Sequence, residues 1–389
     1  MAQSYLDRGV SPTKDDVKAA VRDQDKGLFP GSFCKINADL SGDPDWCVAV
    51  HADGAGTKSS LAYLMMRETG DTSWFRGIAQ DSLVMNTDDL ACVGAVDGFY
   101  LSNTIGRNAH RVSGECIAQV IRGYDAVIAK LRDQGVHVEM TGGETADVGD
   151  LVRTLIADST VVVRMRKDQV FNAADIGPGL AIVGLSSTGK TIYEDKENSG
   201  MGSNGLTAAR HMLLSHDYYT KYPETFSPTI DEDKIYGGPF HVDDDLPHSD
   251  LKVGEAILSP TRTYLPVLKQ VFAQCRADIR GLIHCTGGGQ VKCKDFGDSV
   301  HYIKDNLFPL PPLFRAIYET GQVPAAEMYQ IFNMGHRMEI YCEPGAADTI
   351  IGIAAGMRLD ARVIGQTEVA TNGENKVTLR TELGEYHYE

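Results

Sequence analysis

The chain has 389 residues, of which 42% are apolar, and it carries 37 Lys and Arg against 53 Asp and Glu, a formal net charge of −16. An acidic surface repels nucleic-acid backbones and anionic lipids, so a broad nucleic-acid or membrane-binding face is excluded. A small phosphorylated ligand is compatible with this charge, provided that local cations or metal ions offset it. The length predicts two or three domains, each with an ordinary core.

The cysteines and the hydropathy of the chain predict a cytoplasmic protein. Eight cysteines are scattered without a C-x-x-C pair, a pattern typical of reduced, buried thiols. The first ten residues, MAQSYLDRGV, lack the apolar stretch of a secretory signal, and no apolar run is long enough to span a bilayer.

Strand and helix patterns alternate in the first half of the chain. Strands are predicted over 44–52, 97–106, 137–141 and 154–167, and helices over 77–95 and 113–135. The helix over 113–135 has the clearest pattern, because its apolar residues recur every three or four positions and Gly135 ends it. A loop-like composition near 167–178 predicts a domain boundary, which gives an N-terminal domain over 1–170.

The second half shows the same mixture of patterns. Strands are predicted over 180–185, 338–342 and 362–369, and helices over 205–214, 259–275 and 346–357. The segment 215–250 has no periodicity, and predicts a long surface excursion inserted into a C-terminal domain of residues 171–389. Together the patterns predict a mixed α/β (α+β) protein of two domains.

A glycine-rich segment after the first predicted strand is a candidate phosphate site. Gly54 and Gly56 allow backbone N–H groups to approach an anion, Lys58 adds a positive charge, and Asp53 can hold a hydrated Mg²⁺. The alternative is a tight turn followed by a solvated lysine.

Two further acidic segments lie in the same half. Asp88 and Asp89 are adjacent in an otherwise apolar helix, where either a bound cation or an exposed helix face would explain them. Glu144 follows Gly143 at the end of a predicted strand, a position found in ligand sites and also in hairpin turns. Each segment alone is a weak signal, and the three together indicate a metal-dependent site in the N-terminal domain.

Residues 184–191 match the G-x-x-x-x-G-K-[ST] pattern of a P-loop and follow a predicted strand. A true P-loop opens a helix whose N-terminus faces the phosphates. The residues after Thr191 have no apolar period, and a helix is predicted to begin only near Leu206. This context argues against a P-loop at Lys190.

The second half contains three more candidate segments. Ser203 and Asn204 stand at a predicted helix start, where they either cap the helix or bind a ligand. Thr286 is followed by three glycines, which either cradle a phosphate or form a flexible loop. His336 precedes a strand and is more often structural than catalytic in such a position.

Taken in chain order, these segments resemble the phosphoribosylformylglycinamidine cyclo-ligase (aminoimidazole ribonucleotide synthetase) family. The matching stretches run from residue 4 to residue 340 and are SYLDRGV, HADGAGTK, DSLVMNTDDLACVGA, TGGETAD, GSNGLTAAR, ILSPTRTYLPVL, HCTGGG and EMYQIFNMGHRMEI. The resemblance implies a two-domain fold and a homodimer in which the N-terminal domains form a sheet or barrel. It also implies ATP-dependent, Mg²⁺-dependent ring closure of formylglycinamidine ribonucleotide, with ATP bound without a P-loop.

The resemblance also implies roles for individual residues. It assigns metal binding to Asp53, Asp88, Asp89 and Glu144, and catalysis to Lys58 and Asp89. The nucleotide contacts are assigned to Lys26, Gly54, Gly56, Thr57, Lys58 and Gly143. The substrate contacts are assigned to Ser203, Asn204, Thr286, Gly287 and Gly288. A weakly nucleophilic amide oxygen must attack a phosphoryl group, so charge neutralisation by Mg²⁺ and lysine is expected to carry most of the catalysis.

The chain departs from the family pattern in three places. Gly202 stands where the family has a histidine, the glycine-rich lid is reduced to residues 29–33, and insertions occur near 190–200 and 215–250. If that histidine matters for the substrate, His336, Lys190 or an insert residue must replace it.

The competing functions are those of selenophosphate synthetase and thiamine-phosphate kinase, two enzymes of the same superfamily. From a different class, the chain would be a non-catalytic homologue.

Overall fold

The computed structural model describes residues 3–10 and 15–389. The strands of these residues are β1 (Ile36–Ala38), β2 (Trp46–Gly54), β3 (Phe99–Arg107), β4 (Val138–Asp147), β5 (Leu155–Arg166), β6 (Ala181–Ser186), β7 (Thr188–Gly189), β8 (Asn198–Ser199), β9 (Ile279–His284), β10 (Val300–Lys304), β11 (His336–Cys342), β12 (Ala361–Val369), β13 (Lys376–Thr381) and β14 (Gly384–Tyr388). The helices are α1 (Gln3–Leu6), α2 (Asp15–Ala20), α3 (Lys58–Thr69), α4 (Arg76–Ala91), α5 (Gly114–Asp133), α6 (Leu206–Leu213), α7 (Asp217–Lys221), α8 (Val253–Ile257), α9 (Leu265–Cys275), α10 (Pro312–Glu319), α11 (Ala325–Ile331) and α12 (Ala347–Gly356).

The first sheet has five strands in the order β1-β2-β5-β3-β4. Its neighbours pair antiparallel except β3 and β4, which are parallel and are joined through α5. The sheet is open rather than a closed barrel, since β1 and β4 form its two edges. Helices α4 and α5 cover one face, whereas the opposite face exposes apolar side chains, including Val50 at 49% and Tyr100 at 58%.

The second sheet has seven strands in the order β14-β13-β10-β12-β6-β11-β9. Helix α12 packs on β6 and β12 and against α9. Strands β6 and β11 are buried along their whole length, as expected for central strands covered on both faces. Both halves therefore mix helices with sheets, which confirms the predicted mixed α/β fold.

Helix α4 connects the two sheets. It packs against β2 and β5 of the first sheet and also contacts α9 and β9 of the second half. From Ile78 to Ala91 every residue except Gln80 is buried, and the sixteen-residue helix carries several polar side chains on its interior faces. The predicted helices over 77–95 and 113–135 are confirmed as α4 and α5, within a few residues at each end.

The segment 215–250 differs from its prediction as a surface excursion. It contains the short helix α7, and its aromatic and aliphatic side chains, among them Tyr218, Phe226, Tyr236 and Leu246, are buried in the core. The Tyr63 hydroxyl of α3 donates to Glu224 Oε1 at 2.5 Å, so the segment packs against that helix. Its apolar residues lack a period because it folds as short turns.

Three element boundaries also differ from the predictions. Strands β2 and β4 continue through the glycines that were predicted to end them, because β2 pairs with β5 as far as Gly54 and β4 pairs with β3 as far as Asp147. Helix α9 begins at Leu265 rather than 259, since the preceding residues form an extended segment along α4. Strands β10, β13 and β14 were not predicted.

The eight cysteines are all buried and unpaired, as predicted. In the part of the chain that the structure describes, none of the helices is both long and apolar enough to cross a membrane.

Candidate active site

Lys58 and Asp81 form a fully buried ion pair beneath the glycine-rich segment. Lys58 Nζ donates to Asp81 Oδ1 at 2.7 Å, and both side chains have 0% exposure. The same ammonium donates to the Ser259 carbonyl, and Asp81 Oδ1 also accepts from the Thr261 amide at 2.8 Å. Burial lowers the pKa of Lys58, while the charge of Asp81 opposes that shift. The sequence predicted a phosphate contact for this ammonium, but the structure places it in a contact between the two halves.

Asp88 makes a second contact between the halves. Its carboxylate accepts from the Thr263 hydroxyl at 2.9 Å and from the Tyr264 amide at 3.2 Å. Burial raises the pKa of Asp88 to about 7, although these hydrogen bonds and the charge of Arg337 act against the shift. Both carboxylate oxygens therefore face the extended segment before α9.

Asp89 accepts hydrogen bonds from two histidines. Its Oδ1 lies 2.6 Å from His284 Nδ1, and its Oδ2 lies 3.3 Å from His51 Nε2. The side chains of Asp89 and His51 are 11% and 22% exposed, so this pair lies at the edge of an opening. Burial acts to raise the pKa of Asp89, but the hydrogen bonds from His284 and His51 hold it well below its usual value.

The tautomer of His284 is set by Arg337. Arg337 Nε donates to His284 Nε2 at 3.0 Å, which leaves the proton on Nδ1, where it is donated to Asp89. Burial lowers the pKa of His284 to about 4, against the hydrogen bond and charge of Asp89. His284 is therefore a neutral, fixed donor at physiological pH.

Asn86 orients His51. The Asn86 amide nitrogen donates to the carbonyls of Asp53 at 3.1 Å and Ser82 at 2.9 Å. Its oxygen consequently faces His51 Nδ1 at 2.9 Å. Both nitrogens of His51 thus face oxygen atoms. Although burial acts to lower the pKa of His51, the hydrogen bonds and charge of Asp89 raise it overall.

The register of the first sheet places Asp53 and Glu144 on different faces. Asp53 pairs with Ser159, whose hydroxyl faces Ser82 of α4 at 2.7 Å. Glu144 and Asp158 both pair with Thr104 and share the opposite face. Burial and the nearby charge of Asp53 raise the pKa of Asp158. Asp53 and Asp158 therefore lie close together at the end of the sheet, although their side chains are on different faces.

The predicted metal ligands do not form one ready coordination sphere. Among the residues described, one group of at least three His, Cys, Asp and Glu side chains has ligand atoms within 4.8 Å of one another, and it consists of Cys285, His336 and Glu339. That group is buried in the second half and includes an ion pair from Lys304 to Glu339 at 2.5 Å. Mg²⁺ commonly takes only one or two carboxylates and completes its sphere with water and phosphate.

The segment 54–57 forms the N-terminus of α3. Thr57 precedes this twelve-residue helix without a side-chain cap, and the amides of Lys58 and Ser60 donate to the carbonyls of Ala55 and Thr57. The positive end of the helix dipole still favours an anion near this turn. Gly56 has φ +58° and open space around it. Thr57 Oγ1 lies 2.8 Å from Thr207 Oγ1 of α6, which brings this loop beside the second half.

Gly54 and Gly143 are explained by packing within the sheet. A Cβ at Gly54 would lie 1.8 Å from Asp158 Oδ1, and one at Gly143 would lie 1.8 Å from Asn103 Oδ1. Lys26 is exposed in the segment before β1.

The predicted substrate residues of the second half lie near one another. Ser203 Oγ lies 3.4 Å from Thr261 Oγ1, the residue that also binds Asp81. Asn204 lies beside Gly287, where a Cβ would be 4.0 Å from its amide nitrogen, and its Oδ1 is buried without a hydrogen-bond partner. Thr286 Oγ1 accepts from Lys292 Nζ at 2.7 Å.

Several residues of this site were not singled out from the sequence, among them His51, Lys292 and Arg337. Arg337 is 2% exposed, and a Cβ at Gly202 would lie 3.5 Å from its Cδ and Nη1. The guanidinium of Arg337 thus lies beside the position where the family histidine is missing. His336, by contrast, is buried away from this point and bonded to Glu339 at 3.0 Å.

The P-loop-like segment 184–191 has a structural role. Arg262 donates to the carbonyls of Thr188 and Gly189, each at 2.6 Å, and to Glu194. The segment continues into the short strand β7, and the next helix, α6, begins at Leu206 as predicted. Its carbonyl groups are therefore directed at Arg262, and Lys190 is exposed.

Comparison with known proteins places this geometry in a family. The family model described as AIR synthase related protein, N-terminal domain, matches residues 33–165. The phosphoribosylformylglycinamidine cyclo-ligase of Thermococcus kodakarensis is 30% identical over 294 residues, covering 75% of this chain and 70% of that protein. The enzyme of the same name from Methanocaldococcus jannaschii is 28% identical over 386 residues, covering 96% of this chain and 95% of that protein.

Two solved structures share the fold at low identity. "T. maritima PurL complexed with FGAR" superposes with a TM-score of 0.56 at 13% identity, and the match covers 99% of this chain but only 51% of that one. "Crystal structure of HypE-HypF complex" gives a TM-score of 0.55 at 12% identity, with 96% of this chain and 98% of that chain covered. These likenesses support the two-sheet fold alone.

Proposed function

The chain belongs to the phosphoribosylformylglycinamidine cyclo-ligase family, and from this premise we propose that it closes the imidazole ring of formylglycinamidine ribonucleotide with ATP in purine biosynthesis. The products are aminoimidazole ribonucleotide, ADP and phosphate. One observation carries the proposal: contacts between the two halves bring the candidate segments together, since Thr57 before α3 contacts Thr207 of α6 and Asp89 of α4 binds His284, two residues before Thr286.

The reaction needs a poor nucleophile to attack a phosphoryl group. The formyl oxygen attacks the γ-phosphorus of ATP and ADP leaves. An amidine nitrogen then attacks the activated carbon, and the former formyl oxygen departs with phosphate as the ring closes. Because there is little covalent work for the protein in such a transfer, positioning and charge neutralisation are its main contributions.

Within this proposal the N-terminal half holds the nucleotide. The amide groups at the start of α3, with Gly56 and Thr57, bind phosphate oxygens, and Lys26 is an outer contact. The carboxylates of Asp53 and Asp158 suit Mg²⁺, because they are oxygen donors that lie near each other and whose like charges a cation would relieve. Asp89 and Glu144 are further candidate ligands, with Glu144 on the other face of the sheet from Asp53. Bound there, Mg²⁺ would neutralise charge on the transferring phosphoryl group.

Lys58 and Asp88 have a different role in the proposed site. Both side chains are fully buried, and each contacts the second half: Lys58 donates to the Ser259 carbonyl, and Asp88 accepts from the Thr263 hydroxyl. They therefore hold the two halves together beside the site. Ser203, Asn204 and the loop from Thr286 to Gly288 form the wall that faces the substrate.

We also propose two domains, 1–170 and 171–389, and a homodimer formed through the open face of the first sheet. Val50, Val162 and Tyr100 are cross-strand neighbours on that face. An exposed apolar face on an acidic protein favours coverage by a second copy. Purine synthesis from soluble precursors agrees with a cytoplasmic location.

The substrate assignment is tested by ADP release. We expect formylglycinamidine ribonucleotide to stimulate ADP release in the presence of Mg²⁺, whereas thiamine phosphate and selenide should not. If thiamine phosphate or selenide stimulates ADP release and formylglycinamidine ribonucleotide does not, the chain has another activity of the superfamily.

A further inference from the structure

Lys292 is a partly buried cation without a carboxylate partner. Its ammonium donates to the Thr286 hydroxyl at 2.7 Å and lies 4.4 Å from the ring centroid of Phe33. None of the ion pairs within the described residues involves Lys292, whereas other lysines of this acidic chain, such as Lys130 and Lys252, are paired with carboxylates. A cation held by a hydroxyl and an aromatic face is free to take an anion.

Two glycines without side chains, Gly287 and Gly288, lie in space between Asn204 and Lys292. Gly288 has φ +96°, and a Cβ there would lie 3.3 Å from Lys292 Cβ. Gly287 is exposed and lies beside Asn204. Because these two glycines have no side chains, a ligand that contacts both Lys292 and Asn204 can approach the main-chain N–H groups closely.

Asn204 supplies a second, independent indication of a ligand. Its Oδ1 is buried and has no hydrogen-bond partner among the residues that the structure describes. A buried acceptor left unpaired is costly, so such an atom calls for a donor from a bound molecule. An ionised phosphate has no proton to give, whereas a sugar hydroxyl does.

We propose that Lys292 recognises the phosphate of a sugar monophosphate, with Thr286 beside it, and that Asn204 accepts a hydrogen bond from the sugar. The identity of the full substrate rests on the proposed function, but the ligand class follows from these residues. Asp89 is hydrogen-bonded to His284, two residues before Thr286, so a ligand held in this way lies near Asp89.

The direct test measures binding of ribose 5-phosphate, with ribose as the uncharged comparison, to the full chain by ligand-observed NMR. Lys292→Met is expected to weaken ribose 5-phosphate binding about 10- to 100-fold, as for loss of one charge-assisted hydrogen bond. Lys294→Met is the matched control, because Lys294 lies in the same turn and donates to the Glu389 carbonyl instead. Its binding should equal that of the wild type, and Lys292→Arg should recover part of the loss.

Three outcomes would overturn the proposal. They are equal binding by wild type and Lys292→Met, equal losses in Lys292→Met and Lys294→Met, and no preference of the wild type for ribose 5-phosphate over ribose.

In turnover, Lys292→Met should raise KM for formylglycinamidine ribonucleotide about 10- to 100-fold with little change in kcat. If the wild type binds ribose 5-phosphate through Lys292 but formylglycinamidine ribonucleotide does not stimulate ADP release, the proposed function fails and the sugar-phosphate site stands.

Discussion

Replacing Asp89 by Asn is expected to abolish ATP turnover while leaving the fold intact. The carboxylate accepts from both His284 and His51, and an amide cannot accept from both, since one of its two ends is a donor. The loss of a fixed negative charge at the opening also removes a proposed Mg²⁺ ligand. A fall in kcat of at least about 100- to 1,000-fold is expected, by analogy with removal of one preorganised electrostatic group.

The control for this variant is Asp133→Asn, at the exposed end of α5. Both variants should give wild-type circular dichroism and cooperative unfolding, and Asp133→Asn should retain full turnover. Wild-type-like ADP release by Asp89→Asn would remove Asp89 from the site.

Replacing Lys58 by Met is expected to destabilise the protein by about 3–5 kcal/mol, because it leaves the buried carboxylate of Asp81 without its cation. Urea unfolding monitored by fluorescence would measure this loss. The double variant Lys58→Met, Asp81→Leu removes both charges, and we expect it to recover much of the stability, as replacements of buried ion pairs by apolar residues often do.

Lys190→Ala is the matched control, because Lys190 is exposed and belongs to the P-loop-like segment. It should change stability by no more than about 0.5 kcal/mol and leave ATP turnover unchanged. A stable Lys58→Met protein that has lost only ATP binding would contradict the structural role of Lys58, and a larger activity loss in Lys190→Ala would favour the P-loop.

The parts of the fold that follow from periodicity could be predicted. Helix α5 and strand β5 have repeating apolar positions that face one partner layer. Segment 215–250 could not be predicted in this way, since its buried aromatics are distributed over short turns and meet α3 only through tertiary contacts. Strands β13 and β14 form an edge hairpin with weaker patterning.

The candidate site was predictable as a set of segments but not as a set of contacts. Ser203, Asn204 and Thr286 were found from their glycine-rich surroundings, and the structure brings them together. The predicted phosphate contact of Lys58 rested on its place after two glycines, but α3 starts at this residue and directs the side chain inward to Asp81. The Lys58–Asp81 pair depends on how α3 packs against α4 and against the segment before α9, which the sequence pattern does not contain.

The residues that sequence reasoning passed over lie in strands or in a short turn. His51 follows the apolar residues 47–50 of β2, and Arg337 lies with His336 and Glu339 in the fully buried strand β11. A charged or polar residue next to apolar residues of a strand is the signal that could have found them. Lys292 carries no such signal, because it stands with Lys294 in a polar turn.

An oxygen isotope label in the formyl group of the substrate shows whether ATP activates the formyl oxygen. With unlabelled water and Mg²⁺-ATP, we expect the label to appear in inorganic phosphate, one atom for each ring closed, with ADP released in equal amount. Phosphate without the label, with the isotope found in water or kept in the cyclised product, would refute activation of that oxygen by ATP.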